Sequence, residues 1–130
     1  MSDKLIDESQ FLPLFSQREK FKEGFQAVQR AVHSLAKDKG WYDPAKSVTE
    51  AIALMHSELS EALEEHRQAD RPHIYEGENG KPEGLGIELA DCVIRIMDTC
   101  EYLGVDLAEA ILKKHEFNKS RTHRHGGKKV

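Results

Sequence analysis

No apolar stretch in this chain approaches the roughly 18 residues that a membrane-spanning helix needs, and the N-terminus is acidic and lacks the apolar segment of a secretory signal. The expectation is an intracellular protein with no membrane partner. Cysteine is scarce: Cys92 and Cys100 are the only two, both on one predicted helix and too far apart along it to bridge. That excludes a disulfide scaffold and predicts buried thiols in a reducing, cytoplasmic compartment. No segment alternates apolar and polar residues for long enough to read as a strand. A phosphate-binding P-loop is absent, because Gly77 to Lys81 has neither its spacing nor a preceding strand, and no nucleophilic serine or cysteine motif occurs. Positive charge is not in excess either. The 19 Lys and Arg stand against 23 Asp and Glu, for a net charge of −4, which argues against a general nucleic-acid binder.

What the chain does have is helical periodicity. Phe21, Phe25, Val28, Val32 and Leu35 recur at spacings of 4, 3, 4 and 3, which predicts a first helix from about Gln17 to Lys39, closed by Gly40. Asp43-Pro44 marks a turn, and Ser47-Val48-Thr49-Glu50 has the form of a capping box opening a second helix that runs to about Asp70. From Arg71 to Gly84 the composition shifts to Pro, Gly, Asn and Glu, a loop. A third helix runs from about Glu83 to Leu103 and stops at Gly104, and Asp106-Leu107-Ala108-Glu109 caps a fourth through about Lys119. The expected fold is all-α: one domain over residues 1–130 built as an antiparallel four-helix, bundle-like subunit, with a basic tail from about residue 119. A subunit this small has difficulty covering both the Phe-rich stripe of the first helix and the wide apolar arc of the third, so oligomerisation is expected to complete it.

Two acidic motifs stand inside these patterns, Glu58-Leu59-Ser60-Glu61 on the second helix and Glu88-Leu89-Ala90-Asp91 on the third. Carboxylates at i and i+3 share one helix face, about 5–6 Å apart at Cβ. Each residue advances about 100° around a helix. On that measure Glu58 and Glu61 border the apolar face that includes Ala51, Met55, Leu59 and Ala62, whereas Ser60 and Glu64 point elsewhere. In the third helix Glu88, Asp91, Arg95, Asp98 and Tyr102 form one polar stripe flanked by Leu85, Leu89, Val93, Ile96, Cys100 and Leu103, and by Ile87, Ala90, Ile94 and Met97. Carboxylates at an apolar border are costly unless something neutralises them. Oxygen-only ligands favour magnesium, manganese or calcium, and magnesium typically completes its shell with water and substrate phosphates. The plain alternative is a solvated stripe in which Arg95 pairs Asp91 or Asp98. From Lys113 onward the chain turns basic, with Lys113, Lys114, Lys119, Arg121, Arg124, Lys128 and Lys129 against Glu116 alone, which suits a polyphosphate partner.

Trp41, the Glu58-x-x-Glu61 and Glu88-x-x-Asp91 pairs and the closing Asn118-x-x-Arg121 resemble the MazG-like nucleoside triphosphate pyrophosphohydrolases of the all-α NTP pyrophosphatase superfamily. Gly80-Lys81-Pro82-Glu83-Gly84 and Arg124-His125-Gly126-Gly127-Lys128 resemble a small single-domain branch of it, and the similarity covers roughly Gly40 to Lys128. The resemblance implies magnesium-dependent hydrolysis of nucleoside triphosphates to monophosphate and pyrophosphate, in a homodimer or homotetramer, serving to remove surplus or noncanonical nucleotides. It makes Glu58, Glu61, Glu88 and Asp91 metal ligands, with Glu61 the candidate base. Asn118 and Arg121, with Lys114 and Lys119, would contact phosphates, and Arg121 would also steady charge on the transferring group. Trp41 would stack on the base, or else plug a helix junction, and His33 and Tyr42 are further candidates for base contact. A di-iron carboxylate bundle is disfavoured because neither motif carries Glu-x-x-His. The non-enzymatic alternative is a helical module that binds nucleotide or a partner protein without turnover.

Overall fold

The computed structural model describes residues 17–121, and among them the fold is all-α. Four helices follow in order: α1 (Arg18–Asp38), α2 (Val48–Arg67), α3 (Leu85–Leu103) and α4 (Leu107–Lys119). A short hairpin separates α2 from α3, β1 (Tyr75–Glu76) pairing antiparallel with β2 (Pro82–Glu83) around a 3-10 turn at Glu78–Gly80. The sequence reads here as loop, because strands of two residues are too short to show alternation. None of the described helices is long and apolar enough to cross a membrane. The basic residues Arg124, Lys128 and Lys129, and His123 and His125, lie outside the described residues.

Local chemistry explains the helix ends. The Ser47 hydroxyl accepts from the Glu50 amide at 3.0 Å and the Asp106 carboxylate accepts from the Glu109 amide at 3.1 Å, so both predicted caps form. Gly104 closes α3 in the left-handed region at φ 71°, which lets the Val105 amide reach the Cys100 carbonyl at 2.8 Å. Helix α2 ends at Arg67 rather than at Asp70: Gln68 turns extended, and Asp70 is itself left-handed at φ 63°.

Two compact units make up the chain, Gln29–Val105 and the described parts of Met1–Val28 with Asp106–Val130. In the first, α2 and α3 run antiparallel: the Cys92 thiol donates to the Met55 carbonyl at 3.7 Å, and further along Glu61 meets Glu88. Small side chains permit this approach, since Ala51 and Ala62 on α2 are buried together with Cys92 and Met97 on α3. The C-terminal part of α1 packs antiparallel to α3 through polar contacts. Gln29 donates to the Glu101 carboxylate and to the Val105 carbonyl, both at 3.0 Å, and His33 Nδ1 lies 2.8 Å from Asp98.

That contact settles the partner of Asp98. The aspartate does not pair with Arg95; it is 1% exposed, held by His33 on α1 and approached by the Tyr42 hydroxyl, so the solvated alternative for the stripe does not hold there. Leu59, Leu89 and Val93 also depart from expectation, being exposed rather than packed. On α2 the exposed Ile52, Leu59 and Leu63 recur at i, i+7 and i+11, a single uncovered apolar stripe. Cys92 is buried and Cys100 half-buried, both as free thiols. Burial pushes the Cys100 thiol above its ordinary pKa.

The hairpin is fastened at both ends. Tyr75 donates to the Glu65 carboxylate at 3.0 Å near the end of α2, and Arg71 donates to the same group at 3.2 Å. At the start of α3 the Gly86 amide donates to the His73 carbonyl at 2.8 Å. Gly84 has φ 118°, and a Cβ there would collide with that same carbonyl oxygen, so only glycine lets the strand lie this close.

In the second unit the N-terminal part of α1 meets α4 through charges. Arg18 and Lys22 reach Glu109 at 2.6 and 3.0 Å, and Gln26 donates to Asp106 at 3.0 Å. Lys22 and Arg18, in that order, hold the Glu109 carboxyl below its usual range.

Candidate metal centre

The antiparallel register of α2 and α3 sets Glu-x-x-Glu against Glu-x-x-Asp. Glu58, Glu88 and Asp91 each place a carboxylate oxygen within 4.8 Å of one another. Glu61, the fourth predicted ligand, is not among these three, although it lies close enough to act on Glu88. Their surroundings differ: Glu58 is buried at 8% exposure, Glu88 is half-buried and Glu61 is exposed. The group thus descends from the interhelical seam toward solvent, which is what a site open to a ligand requires.

Crowding acids in a partly dry place raises their proton affinity. Glu88 is pushed up to about 7, first by burial and then by the hydrogen bond and the charge of Glu61, with Asp91 and Glu58 adding to it. Burial and the Glu58 charge push Asp91 upward as well, opposed by Arg95 and Lys81. A cation would relieve all of these at once. The oxygens lie within 4.8 Å of one another, and an all-oxygen donor set of this kind could hold a hard cation.

Arg95 sits inside this cluster, and its partner differs from the one expected. Its Nε donates to Glu58 Oε1 at 2.7 Å, across the two helices, rather than to Asp91 or Asp98 on its own. The other face of the arginine meets Trp41, whose ring centroid lies 5.7 Å from the guanidinium carbon. Trp41, Ile94 and Arg95 together with Glu58 and Asp91 line a cleft of about 200 Å³. A second cleft of about 300 Å³ lies against Trp41, bounded by Pro44, Lys46, Leu54 and Arg95. Lys46 is 5.6 Å from the Trp41 ring centroid. Trp41 itself is 48% exposed, so it is not a buried plug.

The remaining predicted residues fall elsewhere. His33 and Tyr42 are committed to Asp98, and Tyr42 also lies against Tyr102 at a centroid distance of 4.9 Å. Burial, then the bond with Asp98, holds the Tyr42 phenol protonated far above its ordinary range. Lys114, Asn118, Lys119 and Arg121 belong to the second unit, Lys114 in the middle of α4, Asn118 and Lys119 at its end and Arg121 just past it. There Lys114 and Arg121 flank the Phe117 ring at 4.9 and 5.8 Å, and Lys119 reaches Glu116 at 3.5 Å. Two cations near the acids escape the sequence reading of the site, Arg95 as a partner of Glu58 and Lys81 as a charge acting on Asp91. Arg95 has a visible signal, standing four residues after Asp91 on the same stripe; Lys81 has only its place in the loop before α3.

No family model, curated protein or solved structure matches the chain. The functional reading therefore rests on the site's own chemistry and on the motif resemblance.

Proposed function

We propose that this protein is a magnesium-dependent pyrophosphohydrolase of the MazG-like kind, converting nucleoside triphosphates to monophosphates and pyrophosphate. The observation that carries the reading is one cleft in which acids fit for a hard cation stand beside an exposed indole. A nucleotide offers both matching parts, a polyphosphate that travels with magnesium and a planar base that stacks on an aromatic ring. Manganese fits the same donor set.

In this reading Glu58, Glu61, Glu88 and Asp91 hold the cation, which when bound supplies charge neutralisation at the phosphates and activation of water. In the same reading Glu61, the exposed acid beside Glu88, accepts the proton of the attacking water. Trp41 holds the base. Asn118 and Arg121, with Lys114 and Lys119, contact the phosphates, and Arg121 steadies charge on the transferring group. The uncovered stripe of Ile52, Leu59 and Leu63 supports a homodimer or homotetramer. The proposed setting is the cytoplasm, clearing surplus or noncanonical nucleotides.

A panel of nucleoside triphosphates assayed for pyrophosphate release, with and without magnesium, tests the reading. Release that requires the metal supports it. Nucleotide binding with no release in any condition overturns it in favour of a non-catalytic binding module.

A further inference from the structure

We propose that Arg95 is a positioning residue for the cation site: it fixes which way the Glu58 carboxylate faces and braces that orientation against Trp41. The inference rests on the reading of the acids as a cation site, and it concerns how that site is held rather than what it hydrolyses.

Glu58 is the most buried of the acids, at 8% exposure, and one of its two oxygens is claimed by Arg95 Nε at 2.7 Å. Nε is the nitrogen closest to the arginine stem, so a bond made there leaves less freedom than one made by a terminal amine. The bond ties Oε1 to Arg95 and so restricts how the Glu58 carboxylate can turn. Arg95 is in turn hard to displace. Its side chain is 24% exposed and its guanidinium stacks near the Trp41 ring at 5.7 Å. Of its acidic neighbours on α3, Asp98 is taken by His33, while Asp91 interacts with Arg95 through charge. A contact of this kind behind a ligand typically supports metal affinity by about 10–100-fold.

A counter-ion that merely competes with the metal forecasts the opposite. Removing it strengthens cation binding, because one positive charge has left the site. Removing a positioning residue weakens binding even though the local charge has become more negative.

The test is calorimetric titration of the native chain, Arg95→Ala, Arg95→Lys and Trp41→Leu with magnesium alone, nucleotide being left out. Melting temperatures in EDTA provide the control. Arg95→Ala is expected to lose about tenfold or more in magnesium affinity. Arg95→Lys keeps the charge but lacks Nε and the planar stack, so it also weakens while its melting temperature in EDTA stays near native. Trp41→Leu, which removes the brace and no ligand, is expected to weaken binding a few-fold. Should the alanine variant fail to fold, the lysine variant decides. Affinity equal to or tighter than native in the Arg95 variants overturns the proposal, as does a native chain that binds no divalent cation. A native chain that binds magnesium but releases no pyrophosphate sinks the hydrolase reading alone, and weakened binding in Arg95→Lys then still supports the positioning role.

Discussion

Asp98 Oδ1 stands 2.8 Å from His33 Nδ1, and the aspartate is buried to 1% exposure. A carboxylate so removed from water persists only with its partners in place. Asp98→Ala leaves a half-buried imidazole without its partner and is expected to lower stability by about 3 kcal/mol. Asp98→Asn retains an oxygen toward His33 and should lose roughly half as much. Urea unfolding followed by circular dichroism measures both, and an alanine variant within about 1 kcal/mol of native would show that the pair contributes little.

The raised pKa of Glu88 makes stability depend on pH when metal is absent. The folded chain keeps the Glu88 proton to about pH 7, whereas the ordinary carboxyl value of 4.5 describes the unfolded chain. Between these values the folded state binds more protons than the unfolded one, so this residue's contribution falls as pH rises through that window and is level above it. In EDTA the native melting temperature is expected to fall more steeply between about pH 5 and pH 7 than that of Glu88→Gln. Excess magnesium at about pH 8 should restore the loss, since a bound cation stabilises the ionised acids. Parallel pH curves for the two proteins in EDTA would contradict the assignment.

Neutral amides at the four acids separate charge from shape. Glu58→Gln, Glu61→Gln, Glu88→Gln and Asp91→Asn are each expected to reduce turnover by about 100-fold or more, given what metal and proton-transfer groups typically contribute. The helical circular dichroism signal should remain. In metal-free buffer at neutral pH Glu61→Gln and Glu88→Gln are expected to melt at or above the native temperature, because one repelling charge is gone, whereas Glu58→Gln also weakens the pair with Arg95. Near-normal turnover in any two of them would remove the acids from the reaction.

Arg121 lies on Phe117 in the second unit, and two readings of it forecast different kinetics. As a phosphate contact its loss is costly, since charge-assisted bonds from a planar guanidinium are not easily replaced. Arg121→Ala is expected to lower kcat/KM by about tenfold or more, on the scale of about 1.5–3 kcal/mol for a charged hydrogen bond. Unchanged constants assign Arg121 to the solvated surface. A truncation after Thr122 that alone abolishes activity moves the role to Arg124, Lys128 or Lys129.

The helices were legible because their signals are local. Periodic apolar residues, Ser47 and Asp106 as caps and Gly104 as a stop each act within one or two turns, and α1, α3 and α4 end within two residues of where these signals place them. The acidic motifs were legible for the same reason, being i, i+3 pairs on single helices. Contacts between helices were not. Angular position on α3 alone places Arg95 between Asp91 and Asp98, and only the register against α2 shows that Glu58 lies nearer. The partner of Asp98 was out of reach of a single-helix reading, because His33 is on α1. The exposure of Leu59, Leu89 and Val93 departs from the expected packing because periodicity reports which face is apolar and not whether one chain suffices to cover it.

Every carboxylate of the cluster, and Arg95 with them, comes from a single helix–hairpin–helix stretch between positions 58 and 95. The hairpin that joins the two helices is tied to Glu65 at one end and to the Gly84 approach at the other. Loop closure over so short a span carries a small entropic penalty. The arrangement of the acids is therefore an inheritance of neighbouring sequence rather than of distant pairing. Changes outside this stretch, in α4 for example, leave the mutual spacing of the acids intact.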